Sequence, residues 1–126
     1  MSSGVILADS NIWIDHLNHG EPAIPALLAA DEMLMHPFVI GELALGLLRN
    51  RDRVLRELGQ LRFAVPADDN EVINLIVSKG LPGSGIGYVD AHLLASCLLT
   101  THTYLWTRDR RLAVVAGRLG IDATAA

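Results

Sequence analysis

Cysteine is nearly missing from this chain: Cys97 stands alone, so no intrachain disulfide can form, and its apolar neighbours fit a reducing compartment. No apolar run approaches the roughly 18 to 20 residues of a membrane helix, and the opening Met-Ser-Ser-Gly has none of the basic residues that begin a signal peptide. A cytoplasmic protein is expected. Zinc spacing is lacking too, because His16, His19, His36, His92 and His102 are scattered and are expected at the surface or at helix caps. The stretch Gly83-Ser84-Gly85-Ile86-Gly87 lacks the Gly-Lys-Ser/Thr end of a P-loop, follows a predicted helix where a dinucleotide fingerprint would follow a strand, and has Pro82 where a nucleophile elbow needs Gly. It reads as a flexible connection.

Aromatic residues make up only 5% of the chain, against 51% apolar residues in all, so the core must be mainly Leu, Ala, Val and Ile. With 126 residues this is enough for one globular domain, and neither a repeat nor a linker divides it. The first strand candidate, Val5-Ile6-Leu7-Ala8, is an unbroken apolar run of the kind found in a parallel sheet covered on both faces, and it runs straight into Asp9. Ser10 is placed to cap the helix that follows, with Ile12, Trp13 and Leu17 facing inward. A short helix starts near Pro25. Met33-Leu34-Met35 is a second strand, stopped by His36-Pro37, and residues 38–48 read as an apolar helix interrupted by Glu42. Residues 50–61 form an amphipathic helix, and Phe63-Ala64-Val65-Pro66 a short strand or extended linker. Asp68 or Asp69 starts a helix ended by Gly80, with Val72, Ile73, Leu75, Ile76 and Val77 inside. Another apolar helix, over residues 88–99, carries Asp90 in its first turn. Tyr104-Leu105-Trp106 is a buried strand followed by Thr107-Arg108-Asp109, residues 110–119 are the closing helix, and Ile121-Asp122-Ala123 is a possible edge strand.

Singly, each acid has an ordinary explanation as a cap, a turn residue or a surface position. Their joint placement does not. Asp9 and Asp109 follow apolar strands, and Glu42 and Asp90 interrupt apolar helices. In a right-handed βαβ layout all four can meet at the carboxyl end of the sheet, where open α/β folds place their sites. Carboxylates gathered there raise one another's pKa, and a hard divalent cation, Mg²⁺ or Mn²⁺, is their natural partner. On repulsion alone, Asp9→Asn or Asp90→Asn should leave the metal-free protein as stable as before or more so.

The net charge of −4 does not veto a nucleic-acid partner. Nine of the ten basic residues are Arg, in two groups: Arg49, Arg51, Arg53, Arg56 and Arg62, then Arg108, Arg110, Arg111 and Arg118. Either group could face phosphates; the plainer alternative is a solvated helix face with pairs such as Arg53 with Glu57.

Four segments in order carry a resemblance over nearly the whole chain: Leu7-Ala8-Asp9-Ser10-Asn11-Ile12-Trp13-Ile14-Asp15-His16-Leu17, Val39-Ile40-Gly41-Glu42-Leu43-Ala44-Leu45-Gly46, Val89-Asp90-Ala91-His92-Leu93-Leu94-Ala95, and Leu105-Trp106-Thr107-Arg108-Asp109-Arg110-Arg111-Leu112. The chain resembles PIN-domain ribonucleases, and more closely the VapC-type toxins of type II toxin-antitoxin systems. The departures are Trp106, bulkier than expected before Thr107, and the Gly-rich loop before Asp90. The resemblance implies a three-layer α/β/α sandwich around a mainly parallel sheet of four or five short strands. It also implies a metal site of Asp9, Glu42, Asp90 and Asp109, an RNA substrate, a VapB-like antitoxin and a homodimer. The expected chemistry is Mg²⁺-dependent hydrolysis of RNA phosphodiester bonds. Asp9 and Asp90 are then the direct ligands, Glu42 a ligand or a water-orienting base, and Asp109 a second-site or water-mediated ligand. Ser10, Asn11 and Thr107 would orient the carboxylates, and Arg108 and Arg110 could contact substrate phosphates. Two alternatives stand beside this. One is a catalytically silent PIN-fold module that binds RNA or protein. The other is a receiver-like signalling domain, which would need an acidic pair near the first strand and a late Lys, whereas Lys79 is the only lysine.

Overall fold

A computed structural model describes residues 4–123. The centre is a parallel sheet of three strands in the order β2-β1-β3, formed by β1 (Val5–Ala8), β2 (Met33–Leu34) and β3 (Thr103–Trp106). Ile6 lies opposite Met33 on one side and Tyr104 on the other, and Leu7 lies opposite Leu34 and Leu105. Neighbouring residues of a strand point to opposite faces of the sheet. In β1 the consecutive residues Ile6, Leu7 and Ala8 are all buried, as are Met33 and Leu34 in β2, so both faces of the sheet are covered. This is the burial expected of the middle layer of an α/β/α sandwich.

Between β1 and β2 run α1 (Ser10–His19) and α2 (Ala23–Ala29); between β2 and β3 run α3 (Pro37–Leu45), α4 (Arg51–Leu58), α5 (Asp69–Ser78) and α6 (Tyr88–Leu99); α7 (Arg110–Arg118) follows β3. Helix α1 packs on α3, α5 on α6, and α6 and α7 on β3. One aliphatic core results, with Trp13 its only fully buried aromatic side chain among the described residues.

Local chemistry accounts for the helix starts. Asp68 and Glu71 form a reciprocal capping box at the head of α5. Pro37 occupies the first turn of α3, where its missing N–H costs nothing, and the His36 ring accepts a hydrogen bond from Phe38 N at 3.0 Å.

Several expectations need correction. Among the described residues the sheet has three strands, not four or five. Phe63 and Asp122 each make a single parallel bridge, to Met35 and Leu105, and neither segment extends it. Val65 N donates to Thr100 Oγ1 rather than to the sheet, and Pro66 has no N–H to offer. Helix α3 stops at Leu45, and Gly46 turns extended, leaving Leu45 and Leu47 almost wholly in solvent. Ile73 and Val77 also face water, because α5 buries only the stripe through Val72 and Leu75. Leu17 is exposed at the end of α1. Finally, Asp9 rather than Ser10 caps α1.

Candidate active site

The parallel strands β1 and β3 end side by side, with Ala8 opposite Trp106 and Asp9 N donating to Trp106 O at 2.9 Å. The residues that follow the two strands are therefore neighbours although nearly a hundred positions apart. Asp9 is buried, and its carboxylate is held from three directions. Oδ1 accepts from Ser10 N at 2.8 Å; Oδ2 accepts from the Thr107 hydroxyl at 2.8 Å and from Asn11 Nδ2 at 3.3 Å. Thr107 Oγ1 in turn accepts from Asn11 Nδ2 and from Asp109 N, while Asn11 Oδ1 accepts from Arg108 N. The two strand ends are thus stitched together through one carboxylate, one amide and one hydroxyl. Asp109 heads α7, its Oδ1 accepting from Arg111 N and Leu112 N, which leaves the other oxygen outside this cap.

Glu42 and Asp90 approach from helices. Burial pushes the Asp90 carboxyl above its ordinary value; the hydrogen bond from Gly87 N opposes the shift, and the charges of Asp9 and Asp109 add to it. Partial burial also raises Glu42, against a hydrogen bond from the Ser10 side chain and together with the charges of Asp9 and Asp90. Asp9, Glu42, Asp90 and Asp109 are therefore close enough to feel one another's charge, and they come from four different elements. A group of acids that share a field, with Glu42 and Asp90 raised above their ordinary values, can take up positive charge.

A family model for the PIN domain matches residues 6–118, which includes all four acids. Two proteins named Ribonuclease VapC32, from Mycobacterium tuberculosis strains CDC 1551 / Oshkosh and ATCC 25618 / H37Rv, are each 43% identical to the chain over 118 residues, spanning 93% of it and 94% of their own length. The chain belongs to the PIN-domain family, in its VapC branch.

As the side chains of this PIN domain stand, no three His, Cys, Asp or Glu groups among the described residues close around a single metal-sized point. A hard cation of the Mg²⁺ kind does not require that, since one or two carboxylates suffice and water and phosphate oxygens complete its shell. The donor set, all carboxylate oxygen with no thiolate or imidazole among the four acids, fits such an ion.

The sequence offers Arg108 and Arg110 alike to phosphate, and the structure separates them. Arg108 is committed to acids, with Nε 3.0 Å from Asp15 Oδ2 and an Nη 2.8 Å from Glu21 Oε2, and its guanidinium lies over the Trp106 ring. Trp106 thus has a packing reason for its bulk. Arg110 is exposed beside Asp109.

His36 is a helix cap as expected, but it is also buried, and His92, expected like most histidines at the surface or at a cap, is buried too. His36 caps α3 and also shares a hydrogen bond with Ser96 Oγ at 3.0 Å; burial lowers its pKa to about 4, helped by the neighbouring His92. The His92 ring stands edge-on between Phe38 and Tyr88, with Nε2 3.3 Å from Asp69 Oδ1, an oxygen that already accepts from the Tyr88 hydroxyl. His36-Pro37 is a cap signal visible in the sequence; burial of His92 is signalled only by its place in an apolar helix.

Proposed function

We propose that this chain is a metal-dependent ribonuclease and the toxin of a VapB-like toxin-antitoxin pair, working in the cytoplasm. The observation that carries the reading is the convergence of Asp9, Glu42, Asp90 and Asp109, from four separate elements, in a PIN-family chain 43% identical to a named ribonuclease. The absence of any membrane-length apolar helix among the described residues is compatible with it.

Asp9 and Asp90 would hold a divalent ion directly, with Glu42 and Asp109 completing the site through oxygen or water. A bound Mg²⁺ or Mn²⁺ supplies a water of lowered pKa and offsets charge on the leaving oxygen. The protein's part is positioning. Ser10 N, Asn11 and Thr107 fix the Asp9 carboxylate, so its free lone pairs keep one direction, and the Gly87 amide does the same for one oxygen of Asp90. Glu42, with its pKa raised, is suited to orient or take a proton from the attacking water.

For the antitoxin, a cavity of about 530 Å³ offers a bed with an apolar side of Leu17, Leu47, Leu48 and Val54 and a polar side of Asn18, His19, Arg49, Asn50 and Arg53, suited to an amphipathic helix. A basic side chain of the antitoxin would meet the carboxylates. A homodimer would cover further exposed apolar side chains.

Purified chain freed of antitoxin should cleave a structured RNA in Mg²⁺ or Mn²⁺ and stop in EDTA. Cleavage surviving excess chelator would rule out the metal mechanism, and RNA binding without any cleavage in either metal would favour a silent PIN module.

A further inference from the structure

The second arginine group divides by partner. Arg108 is neutralised by Asp15 and Glu21, whereas Arg110, Arg111 and Arg118 are within ion-pair distance of no carboxylate among the described residues. Those three line one cavity of about 280 Å³, with Ser84 opposite them on the loop that precedes α6 and Val114 and Val115 as its apolar floor. No acid lines it. Arg111 and Arg118 stand two helical turns apart on the face of α7 that carries Val115 between them, so both guanidinium groups border the same cleft.

The cleft is built, and it is tied to the carboxylates at both walls. On the helix side, the Asp109 carboxylate holds Arg111 N at the head of α7. On the loop side, Asp90 holds Gly87 N. Between them Gly85, at φ +89°, lets the Arg111 side chain lie directly against the loop; a Cβ there would come within 2.6 Å of Arg111 Cδ. At the far end Arg118 donates to Lys79 O, which anchors its guanidinium beside the end of α5. At 1.5 Å per residue the row from Arg110 to Arg118 runs roughly 12 Å away from the acids, long enough to meet more than one phosphate.

We infer that this cleft holds the RNA backbone next to the scissile phosphate, with Arg111 and Arg118 on successive flanking phosphates and Arg110 at the mouth. The inference rests on the ribonuclease reading and adds where the strand lies: it leaves the carboxylates along α7, over the loop at residues 83–87. Guanidinium groups suit this role because they stay charged and bind phosphate oxygens two at a time. An acidic site that repels its own polyanionic substrate also needs cations near its rim.

The test uses full-length chain carrying Arg111→Gln and Arg118→Gln together. In cleavage of a structured RNA with Mg²⁺, KM should rise about tenfold or more while kcat stays within about twofold, since charge-assisted hydrogen bonds outside the reacting centre are removed. Binding of a fluorescein-labelled single-stranded oligouridylate is followed in an Asp90→Asn background, in which loss of a proposed metal ligand is expected to stop cleavage. There the slope of log affinity against log salt should flatten by about 1.4, at roughly 0.7 for each of the two phosphates no longer neutralised. Arg111→Lys with Arg118→Lys should restore that slope, which a merely structural role would not require. Unchanged KM and slope in the Gln variant, with the parent cleaving normally, overturns the cleft and leaves the ribonuclease reading intact. A parent that neither binds nor cleaves RNA overturns both.

Discussion

Repulsion alone predicts that neutralising either Asp9 or Asp90 relieves the fold, but the structure separates the two substitutions. The Asp9 carboxylate is buried and accepts three hydrogen bonds. An asparagine in its place keeps one oxygen for Ser10 N and turns an NH₂ toward Thr107 and Asn11. Neither can receive it well: Asn11 already presents its own NH₂, and the Thr107 oxygen is already taking Asn11 Nδ2 and Asp109 N. The loss is one hydrogen bond to a charged acceptor, about 1.5 to 3 kcal/mol, with a weaker one besides. Relief of repulsion returns some tenths of a kcal/mol up to about 1. Asp9→Asn should therefore cost the metal-free protein about 1 to 2 kcal/mol, at roughly 4 °C in Tm per kcal/mol for a chain of this size. Asp90→Asn keeps an oxygen for Gly87 N and sheds a carboxylate whose pKa burial and neighbouring charge push upward. It should be neutral or slightly stabilising, by less than about 1 kcal/mol after solvent screening. The sign follows from linkage: the folded pKa of Asp90 lies above its unfolded value, so the penalty is absent below the ordinary 3.8, grows as pH rises through the window above it, and is complete beyond the folded pKa. Thermal melts at pH 7 in EDTA compare the two variants with the parent. In Mg²⁺ the parent should gain more Tm than either variant, because the ion binds only the folded site. If Asp9→Asn melts with the parent while Asp90→Asn falls by several degrees, the network around Asp9 carries no stability and Asp90 is the structural cap.

His36 should produce an acid limb of the opposite sense. With its folded pKa near 4 against an ordinary 6.5, the unfolded chain takes the proton first, so stability is full above about 6.5 and is lost as pH falls toward 4, by roughly 3 kcal/mol. Urea melts between pH 4.5 and 7 should show that slope in the parent and a flatter one in His36→Asn; equal slopes would exclude His36 as the source. Gly85→Ala should cost about 1 to 2 kcal/mol, chiefly from forcing an L residue to φ +89°, since the Arg111 tip it meets can swing aside. An alanine variant as stable as the parent in the same melts would show that the loop has another conformation open to it.

The apolar run into Asp9 is legible as the central strand because burial on both faces leaves no alternation to mislead; the run before Thr107 also pairs in parallel register, but at the edge of the sheet, where Leu105 is buried and Tyr104 and Trp106 are only partly covered. The further strands expected are not so legible. Phe63 and Asp122 each pair at a single bridge; for the segment after Phe63, the rival partner of Val65 N and the missing N–H of Pro66 stop the ladder. The proline is legible in the sequence, but the capture of Val65 N by Thr100, 35 positions away, is not. The same holds for Leu45 and Leu47. An apolar run says that burial would be favourable, but not whether a neighbour is there to provide it; α3 ends at Gly46 and leaves both leucines in solvent, where a partner could use them.

The acids stand out because a carboxylate inside an apolar segment demands an explanation, and four such demands in one chain have a common answer. The arginines carry no comparable demand. A guanidinium is at home in water, and adjacent residues 108, 110 and 111 look alike in sequence while facing different surroundings: Arg108 folds back over Trp106 to Asp15 and Glu21, and Arg111 lies against Gly85. Which one remains available to an anion is set by acids nearly ninety and more positions away and by a glycine whose left-handed φ appears only in three dimensions. Of the two residues expected from sequence to contact phosphate, Arg108 is ion-paired to Asp15 and Glu21 and Arg110 is exposed without an ion pair among the described residues. The Arg108 charge is shared with two carboxylates, whereas that of Arg110 is shared with none among the described residues.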